Sequence, residues 1–360
     1  MNDSSTKIVR ISKAKQANLA LAALFALLLF YLPMLVAEGR ELVVASWNVE
    51  NLFDTEDDLN NPHDDGYTPQ GWANWTEQRY QVKLDHLAEV IAEIQPVILC
   101  LVEVENRRVL EDLRSTLLKN HNYQLPAIIH RDGGDVRGID VAIMAKFMPD
   151  NISWFRAISG QRDVLACEFS IDGNELTVMV NHWKSKLGTP GQSNFIRQQQ
   201  AQSVRDFIDL KLSQNPGAAI VVAGDFNADI DEAVLTETAG FLLTLDELQK
   251  EQNTNKLYNL AAALPEKKRA TYYYAPNEKW NSLDSISVTR GMVGFTPLTP
   301  WKVKPDSYTV YNPEKICFKG LGSPLPYRRV RSKRYGDRFV AGYSDHFAVY
   351  VTLERRSDQE

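Results

Sequence analysis

The chain has 360 residues, of which 44% are hydrophobic, and its formal net charge is −6. This length and apolar fraction are ample for a large core and, without the N-terminus, suit one domain better than two. The acidic balance excludes a generally basic nucleic-acid coat. The three cysteines, with no CxxC or Cys/His spacing, exclude a cysteine-based zinc site, and a chain of this size needs no disulfide framework.

The first predicted element is a targeting segment over residues 1–37. Four basic residues precede a mostly apolar stretch that ends at Ala37, a plausible cleavage position, and this is typical of a secretory signal peptide. Leu35 fits the cleavage pattern poorly and the stretch is nearly long enough to span a bilayer, so an uncleaved membrane anchor is the alternative. Either form predicts that a single domain, residues 38–360, lies outside the cytoplasm, in the periplasm or secreted.

Apolar, β-branched runs in the rest of the chain predict strands with polar residues at their ends. Polar residues follow the runs 42–45, 97–102, 176–180 and 219–224, and they precede the runs 141–144, 285–288 and 347–351. If the second group of strands runs antiparallel to the first, all of these polar residues lie at one edge. The pattern therefore predicts mixed sheets with a single polar rim, where a rigid fold often presents a catalytic site.

Three amphipathic segments predict helices. Apolar residues recur at helical spacing over 74–94, which Pro96 ends, and again over 109–117 and 196–212. Helices alternate with strands in the early part of the chain, whereas the C-terminal third is mostly β. We therefore expect an α+β fold, with sheets inside and helices outside.

The predicted rim carries ligands for a hard divalent ion. Glu103 and Asp345 offer carboxylates and Asn48 offers an amide oxygen, which together form an oxygen-rich, sulfur-free set. Such a set suits Mg²⁺, with Mn²⁺ as the alternative, and does not suit structural zinc. Asn227 adds a hydrogen-bond donor for a non-bridging phosphate oxygen.

The same rim carries groups for proton transfer. His182 and His346 are the imidazoles, and Asp140 and Asp284 can hold them in one tautomer. Asp225 can orient or deprotonate a water molecule. A hard cation, His–Asp pairs and hydrogen-bond donors are the groups that hydrolysis of a phosphate ester needs.

Six short segments, in this order along the chain, resemble the endonuclease/exonuclease/phosphatase superfamily, which has the deoxyribonuclease-I-like fold. They are Ser46-Trp47-Asn48-Val49-Glu50-Asn51, Leu101-Val102-Glu103, Asn181-His182, Gly224-Asp225-Phe226-Asn227, Leu283-Asp284-Ser285-Ile286 and Ser344-Asp345-His346. The resemblance, to an exported bacterial member, spans roughly residues 41–353. It implies a four-layer α/β/β/α sandwich of two packed mixed sheets flanked by helices, and a hydrolase acting on phosphate ester bonds.

The resemblance also implies a role for each matching residue. Asn48 and Glu103 look like the metal-binding pair, Asp345 is a further metal contact, and Glu50 matches a position that is often acidic and sometimes metal-linked. The matches to catalytic groups are His182, Asp225, Asn227, Asp284, His346 and, more loosely, Asp140. In the family pattern Asp284 orients His346, Asp140 is the expected partner of His182, and Asp225 positions or activates the nucleophile. Whether Asp225 or His346 is the base stays open, because the two can act as one coupled unit.

Two features favour nucleic acid as the substrate partner, either DNA or RNA. The segment 181–186 resembles that of secreted bacterial nucleases, with Lys184 and Lys186 as phosphate contacts. A basic stretch near the C-terminus offers more contacts, although a solvated loop is the alternative: Arg328, Arg329, Arg331, Lys333, Arg334 and Arg338.

The first hypothesis is thus an exported, Mg²⁺-dependent nuclease. The second is a phosphodiesterase or phosphatase for a phospholipid head group or a small phosphoester, and the third is a non-catalytic binding module. A lipid enzyme should show an exposed aromatic hairpin, whereas a nuclease should show basic residues beside the rim. The membrane is a partner only through an uncleaved N-terminal segment, and no protein partner is inferred.

Overall fold

Eighteen strands and five α-helices form the part of the chain that the computed structural model describes, residues 41–58, 61, 63–332 and 336–356. The strands are β1 (Glu41–Leu52), β2 (Ile98–Val104), β3 (Ala127–Ile129), β4 (Asp140–Ala145), β5 (Asn151–Phe155), β6 (Val164–Ile171), β7 (Asn174–His182), β8 (Ile220–Asp225), β9 (Phe241–Leu242), β10 (Leu257–Asn259), β11 (Tyr272–Tyr274), β12 (Lys279–Asn281), β13 (Asp284–Thr289), β14 (Trp301–Val303), β15 (Thr309–Tyr311), β16 (Tyr327–Ser332), β17 (Gly336–Ala341) and β18 (Ala348–Arg355). The helices are α1 (Glu77–Ile94), α2 (Arg107–His121), α3 (Pro190–Gln214), α4 (Leu245–Gln249) and α5 (Glu266–Arg269).

Two seven-stranded mixed sheets organise these strands. The first has the order β14-β18-β1-β2-β4-β3, with β15 also paired to β18, and the second has the order β5-β6-β7-β8-β13-β10-β9. Two hairpins, β11–β12 and β16–β17, lie outside both sheets.

The strand directions confirm the predicted edge. In the first sheet β1 runs parallel to β2, and β18 and β4 run antiparallel to them. In the second sheet β7 and β8 are parallel, β13 is antiparallel to β8, and Asp284 pairs directly with Asp225. Strands that end in polar residues and strands that begin with them therefore meet at the same rim.

The three predicted helices are confirmed as α1, α2 and α3. Helix α1 begins at Glu77 rather than at the predicted Asn74, because the Thr76 side chain accepts a hydrogen bond from the Arg79 amide and caps the helix. Asn74 itself has a φ of 48°, which is incompatible with a right-handed helix.

The helices cover the outer faces of the two sheets. Leu84 of α1 and Leu113 of α2 lie in the same apolar core as residues of the first sheet. Val204 and Ile208 of α3 pack in a second core with Val222 of the second sheet. The architecture is the predicted α+β sandwich, a four-layer α/β/β/α arrangement.

The predicted signal peptide or anchor, residues 1–37, lies outside the described residues. Among the residues that are described, none of the helices combines the length and the apolar character needed to cross a bilayer.

Candidate active site

The rim joins the ends of strands from both sheets. The predicted residues at these positions are Asn48 and Glu50 of β1, Glu103 of β2, His182 of β7, Asp225 of β8, Asp284 of β13, and Asp345 and His346 just before β18. Because the two sheets pack face to face, residues far apart in sequence come within a few ångströms of one another.

Asp284 and His346 form the expected pair. The Nδ1 atom of His346 lies 2.7 Å from Oδ2 of Asp284, and both side chains are buried. The same Oδ2 accepts a 2.6 Å hydrogen bond from the Thr271 hydroxyl, and the Asp284 amide donates back to that hydroxyl at 3.1 Å. Burial alone would lower the pKa of His346, but the carboxylates of Asp284 and Asp225 outweigh it and raise that pKa well above its usual value.

The turn that carries His346 is fixed to β1. The Ser344 hydroxyl donates a 2.7 Å hydrogen bond to the carbonyl of Asn48, and it accepts one from the His346 amide at 3.1 Å. The Trp47 indole donates to the carbonyl of His346 at 3.0 Å. The backbone of His346 is thus held by β1, and its imidazole ring is held by Asp284 of β13.

Asp225 lies at the centre of the site. Its Oδ2 accepts a 3.0 Å hydrogen bond from the side-chain NH₂ group of Asn48. Its Oδ1 accepts one from the backbone N–H of Asn227 at 2.8 Å. The Nε2 atoms of His182 and His346 are 3.7 and 3.9 Å from the same Oδ2. Burial, followed by repulsion from Asp284, raises the pKa of Asp225 to about 7.

Gly224 makes this placement of Asp225 feasible. Its φ of 140° suits glycine, and a Cβ atom there would lie 2.0 Å from the carbonyl oxygen of Asn181. Any larger residue would therefore push β8 away from β7. This gives a physical reason for the glycine in the Gly-Asp-Phe-Asn segment.

His182 is the second imidazole of the site, and it has a neutral ring. Burial, followed by the charges of Arg162 and Arg137, lowers its pKa well below the usual value. Its Nε2 lies 3.8 Å from Glu103 and 3.7 Å from Asp225, whereas its Nδ1 has no hydrogen-bond partner among the described residues.

The expected pairing of Asp140 with His182 is wrong. Asp140 does lie at the rim, where it pairs with Val104 of β2, but its side chain is directed elsewhere. Oδ2 of Asp140 accepts a hydrogen bond from the Gly133 amide and lies 3.8 Å from Nε2 of His130. Asp140 therefore belongs to a separate cluster, and Glu103 takes the place beside His182.

Three carboxylates and an amide form the oxygen-rich side of the site. Glu103 accepts a 3.0 Å hydrogen bond from the Asn51 amide, and Glu50 accepts one of 2.6 Å from the Tyr327 amide. The buried Glu50 and the partly exposed Asp345 lie beside one cation, Arg328, at 3.1 and 2.5 Å. Burial and the nearby Asp345 raise the pKa of Glu50 to about 7.

Several of these residues have left-handed backbones. Glu50, Asn51, Glu103 and Asn227 have φ values of 56°, 52°, 67° and 48°. Non-glycine residues in this region cost on the order of 1–3 kcal/mol each and are concentrated at functional sites. The strain is a further sign that this rim is built for a site rather than for stability.

Sequence reasoning missed three cations of the site, one of which is the buried Arg162 near His182. Lys83 is fully buried on α1, donates a 2.7 Å hydrogen bond to the Tyr343 carbonyl, and has a pKa that burial lowers to about 8. The sequence feature that could have identified Lys83 is its position on the apolar face of a predicted helix. Arg137 donates to the Asn51 side chain at 2.7 Å and lies 4.0 Å from Glu103.

The basic stretch is a hairpin, β16–β17, rather than a loop. Its Arg328 is paired with Asp345 and Glu50, so this residue is a neutralising partner of the site's carboxylates. Lys333 and Arg334 lie outside the described residues. Lys186, another predicted phosphate contact, instead forms an ion pair with Glu232 at 2.5 Å.

The residues present fit a hard divalent cation. Asn48, Glu50, Glu103 and Asp345 provide oxygen ligands alone, and the buried Oε1 of Glu50 already faces a positive charge, the Arg328 guanidinium at 3.1 Å. The group at the rim whose ligand atoms lie within 4.8 Å of one another is a different one, Asp225, Asp284 and His346. However, the charges that favour a protonated His346 make it a poor ligand, since only the neutral imidazole coordinates metal.

Comparison with known proteins agrees with this geometry. The profile described as "Endonuclease/Exonuclease/phosphatase family" matches residues 43–355. No curated protein sequence matches the chain.

Many solved structures share the fold. D. rerio TDP2, complexed with a single-strand DNA product, is 16% identical with a TM-score of 0.51, over 87% of this chain and 99% of that one. A family protein from Bacteroides thetaiotaomicron is 18% identical with a TM-score of 0.53, over 88% and 95%. A beta toxin structure from Staphylococcus aureus is 15% identical with a TM-score of 0.53, over 86% and 99%. At these identities the likeness shows the fold.

Proposed function

The chain belongs to the endonuclease/exonuclease/phosphatase family and is a metal-dependent hydrolase acting on phosphate esters. Within this family, we propose that it is an exported nuclease that uses Mg²⁺. The observation that carries the proposal is the rim itself, where a buried His–Asp pair faces Asp225 across 3.9 Å beside a set of oxygen ligands. Export rests on the basic and apolar residues of the segment 1–37.

The proposed reaction adds water to the phosphorus atom and breaks one ester P–O bond. Asp225 and His346 act as a coupled pair that positions the water, and the Asp225 carboxylate, which lies between the two imidazoles, accepts its proton. Asp284 keeps Nδ1 of His346 protonated and so turns Nε2 towards the reacting groups. The neutral His182 is placed to donate a hydrogen bond to the phosphoryl or leaving oxygen.

Asn48, Glu50, Glu103 and Asp345 are the residues that would hold the metal ion. When bound, a hard cation there offsets the negative charge that develops on the phosphoryl group. Arg328 supplies part of this positive charge in the metal-free protein, because its guanidinium lies against Asp345 and Glu50.

A groove lined by residues that follow Asn227 and precede Asp284 in the chain offers cationic and aromatic contacts to a nucleic-acid strand, although its four acidic side chains outnumber its three basic ones. It has a volume of about 700 Å³, and its lining includes Lys267, Arg269, Lys279 and Trp280. Acidic side chains also line it, and Asp229 is 3.4 Å from Lys279. Cations that interleave with an aromatic platform are the usual means of binding a single strand. The fold is also compatible with this ligand, since D. rerio TDP2 binds a single-strand DNA product.

A phospholipid head group is the second candidate, and the β11–β12 hairpin favours it. Tyr274 and Trp280 are 40% and 38% exposed, and Trp280 packs against Tyr273 with ring centroids 5.2 Å apart. The hairpin begins beside the site, because the Tyr272 ring lies 4.7 Å from the His346 ring. Exposed aromatic residues of this kind can insert into a lipid surface.

The deciding experiment incubates the purified full-length chain with supercoiled plasmid and Mg²⁺. Nicking that is lost with EDTA and in His346→Ala supports the nuclease. Parallel reactions use phosphatidylcholine or sphingomyelin vesicles and bis-p-nitrophenyl phosphate.

The pattern of activities separates the candidates. Hydrolysis of the small diester and of vesicles, without nicking of plasmid or of single-stranded DNA and RNA, would replace the nuclease by the lipid enzyme. No metal-dependent hydrolysis of any of these substrates by the folded protein would contradict both.

A further inference from the structure

The segment 130–140 joins β3 to β4 and carries a second polar cluster, whose hydrogen bonds and ion pairs are separate from those of the active site. His130 follows β3, and Asp140 is the first residue of β4. The His130 side chain is 1% exposed and the Asp140 side chain is 6% exposed. Nε2 of His130 has no hydrogen-bond partner among the described residues, although it lies 3.8 Å from Oδ2 of Asp140.

The distance between these two atoms suits a shared metal ion. It is too long for a hydrogen bond, which requires about 2.7–3.2 Å. Ligand atoms that each lie about 2.0–2.2 Å from one ion are roughly 3–4 Å apart. A carboxylate oxygen of Asp132 completes the group, since the three ligand atoms all lie within 4.8 Å of one another. Asp132 is exposed and can adjust its side chain by the small remaining distance.

The charges of the cluster lack a cation. Burial raises the pKa of Asp140 to about 7, with a further rise from Asp132. Burial also lowers the pKa of His130 to about 4, so the imidazole is neutral and has a lone pair for a ligand. Two arginines near the cluster, Arg131 and Arg156, both bind Asp163, at 2.8 and 2.7 Å. Arg107, whose charge acts on His130, binds Glu111 at 2.9 Å. A bound divalent cation would offset the buried carboxylate.

Backbone packing around Asp140 holds the group in place. The Gly133 amide donates a 3.0 Å hydrogen bond to Oδ2 of Asp140, and a Cβ atom on Gly133 would lie 2.2 Å from the other oxygen. The chain therefore wraps closely around one carboxylate and directs it towards His130.

We propose that His130, Asp132 and Asp140 bind a divalent transition-metal ion of the Zn²⁺ type. One imidazole nitrogen and two carboxylate oxygens suit Zn²⁺ better than Mg²⁺, which favours oxygen ligands alone. The ion would tie the end of β3 to the start of β4. It would also brace the intervening segment, in which Arg137 reaches Asn51 at the active site.

The test uses the full-length chain, stripped of metal and then kept in excess Mg²⁺, which occupies the oxygen-rich active site. Co²⁺ is the probe, because its visible absorption reports coordination by nitrogen and oxygen ligands. We expect one tight Co²⁺ site in the wild type and in His346→Gln, and its loss in His130→Gln. Zn²⁺ should displace the bound Co²⁺ and raise the melting temperature.

Asp132→Asn is the second ligand variant, chosen because Asp132 is exposed and its substitution does not disturb the core. It should weaken Co²⁺ binding by about tenfold or more, since even the hydrogen-bond partners of metal ligands contribute about that much to affinity. Unchanged Co²⁺ binding in both Asp132→Asn and a folded His130→Gln would overturn the proposal, as would the absence of such a site in the wild type. If His130→Gln fails to fold, Asp132→Asn alone decides. Because the readout is metal binding in excess Mg²⁺, its outcome is independent of whether the protein cleaves nucleic acid.

Discussion

The pair of Asp284 and His346 gives the sharpest prediction, for the substitution Asp284→Asn. Oδ2 of Asp284 accepts two hydrogen bonds, from the His346 ring at 2.7 Å and from the Thr271 hydroxyl at 2.6 Å. Oδ1 is buried and has no hydrogen-bond partner among the described residues. An asparagine can keep its oxygen at the Oδ2 position only by placing its NH₂ group where Oδ1 was, a buried position that no hydrogen bond between the described residues reaches.

The size of the effect follows from the lost charge. A buried hydrogen bond to a charged group contributes about 1.5–3 kcal/mol, and an unsatisfied buried group costs about 1–3 kcal/mol. The negative charge also raises the pKa of His346, so its loss lowers that pKa towards its usual value. Replacing the aspartate of a serine-protease triad by asparagine lowers turnover by about 10⁴. We therefore expect kcat to fall by about 10²–10⁴, with KM changed by less than about threefold.

The assay is steady-state hydrolysis of bis-p-nitrophenyl phosphate in Mg²⁺, with circular dichroism to verify the fold. Thr271→Val is the matched control, since it removes the other hydrogen bond to Oδ2 but leaves the charge. We expect it to lower kcat by no more than about tenfold. Turnover of a folded Asp284→Asn within a few-fold of the wild type would refute the role of this pair.

Three further predictions concern charges around the site and on the surface. Arg328→Gln should lower the Mg²⁺ concentration for half-maximal activity by about tenfold, because Asp345 loses a competing cation; a higher requirement would contradict this. Lys83→Met should lower the free energy of unfolding in EDTA by about 1–3 kcal/mol, measured with urea, because a buried carbonyl loses its donor. The hydrogen bond from Lys315 lowers the pKa of Glu93 below its ordinary value of 4.5. At pH values above 4.5, Lys315→Ala should therefore reduce the free energy of unfolding by at most about 1 kcal/mol. This difference should vanish as the pH falls through the folded pKa, and a constant difference would argue against the pair.

The sequence was sufficient to predict the fold class and most of the rim. The apolar runs were long and β-branched, so the strands were clear, and polar residues at their ends placed Asn48, Glu103, Asp225 and His346 at one edge. The strand directions then place all of these residues at the same edge. The strands that begin with polar residues run antiparallel to the strands that end with them. The partners of Lys83 were beyond reach, because that residue contacts a carbonyl 260 positions away. Nothing local in the sequence specifies such a contact.

The failure at Asp140 has a different cause, which lies in the backbone of β2. The pattern of runs predicts the edge at which a residue lies, but the pleat decides the face, and a shift of one residue reverses it. Between β2 and β4 the register shifts from Val102–Val141 to Val104–Asp140, and Glu103, at the shift, has a φ of 67°. An irregularity of this kind re-aims a side chain, and here it is Glu103, rather than Asp140, that lies beside the second histidine. A similar irregularity occurs in β1, where the register shifts between Asn48 and Leu52 and where Glu50 and Asn51 are left-handed. The register shifts in β1 and β2 occur at Glu50 and Glu103, respectively, which lie on adjacent strands. These backbone irregularities therefore position two of the predicted metal ligands at the same rim.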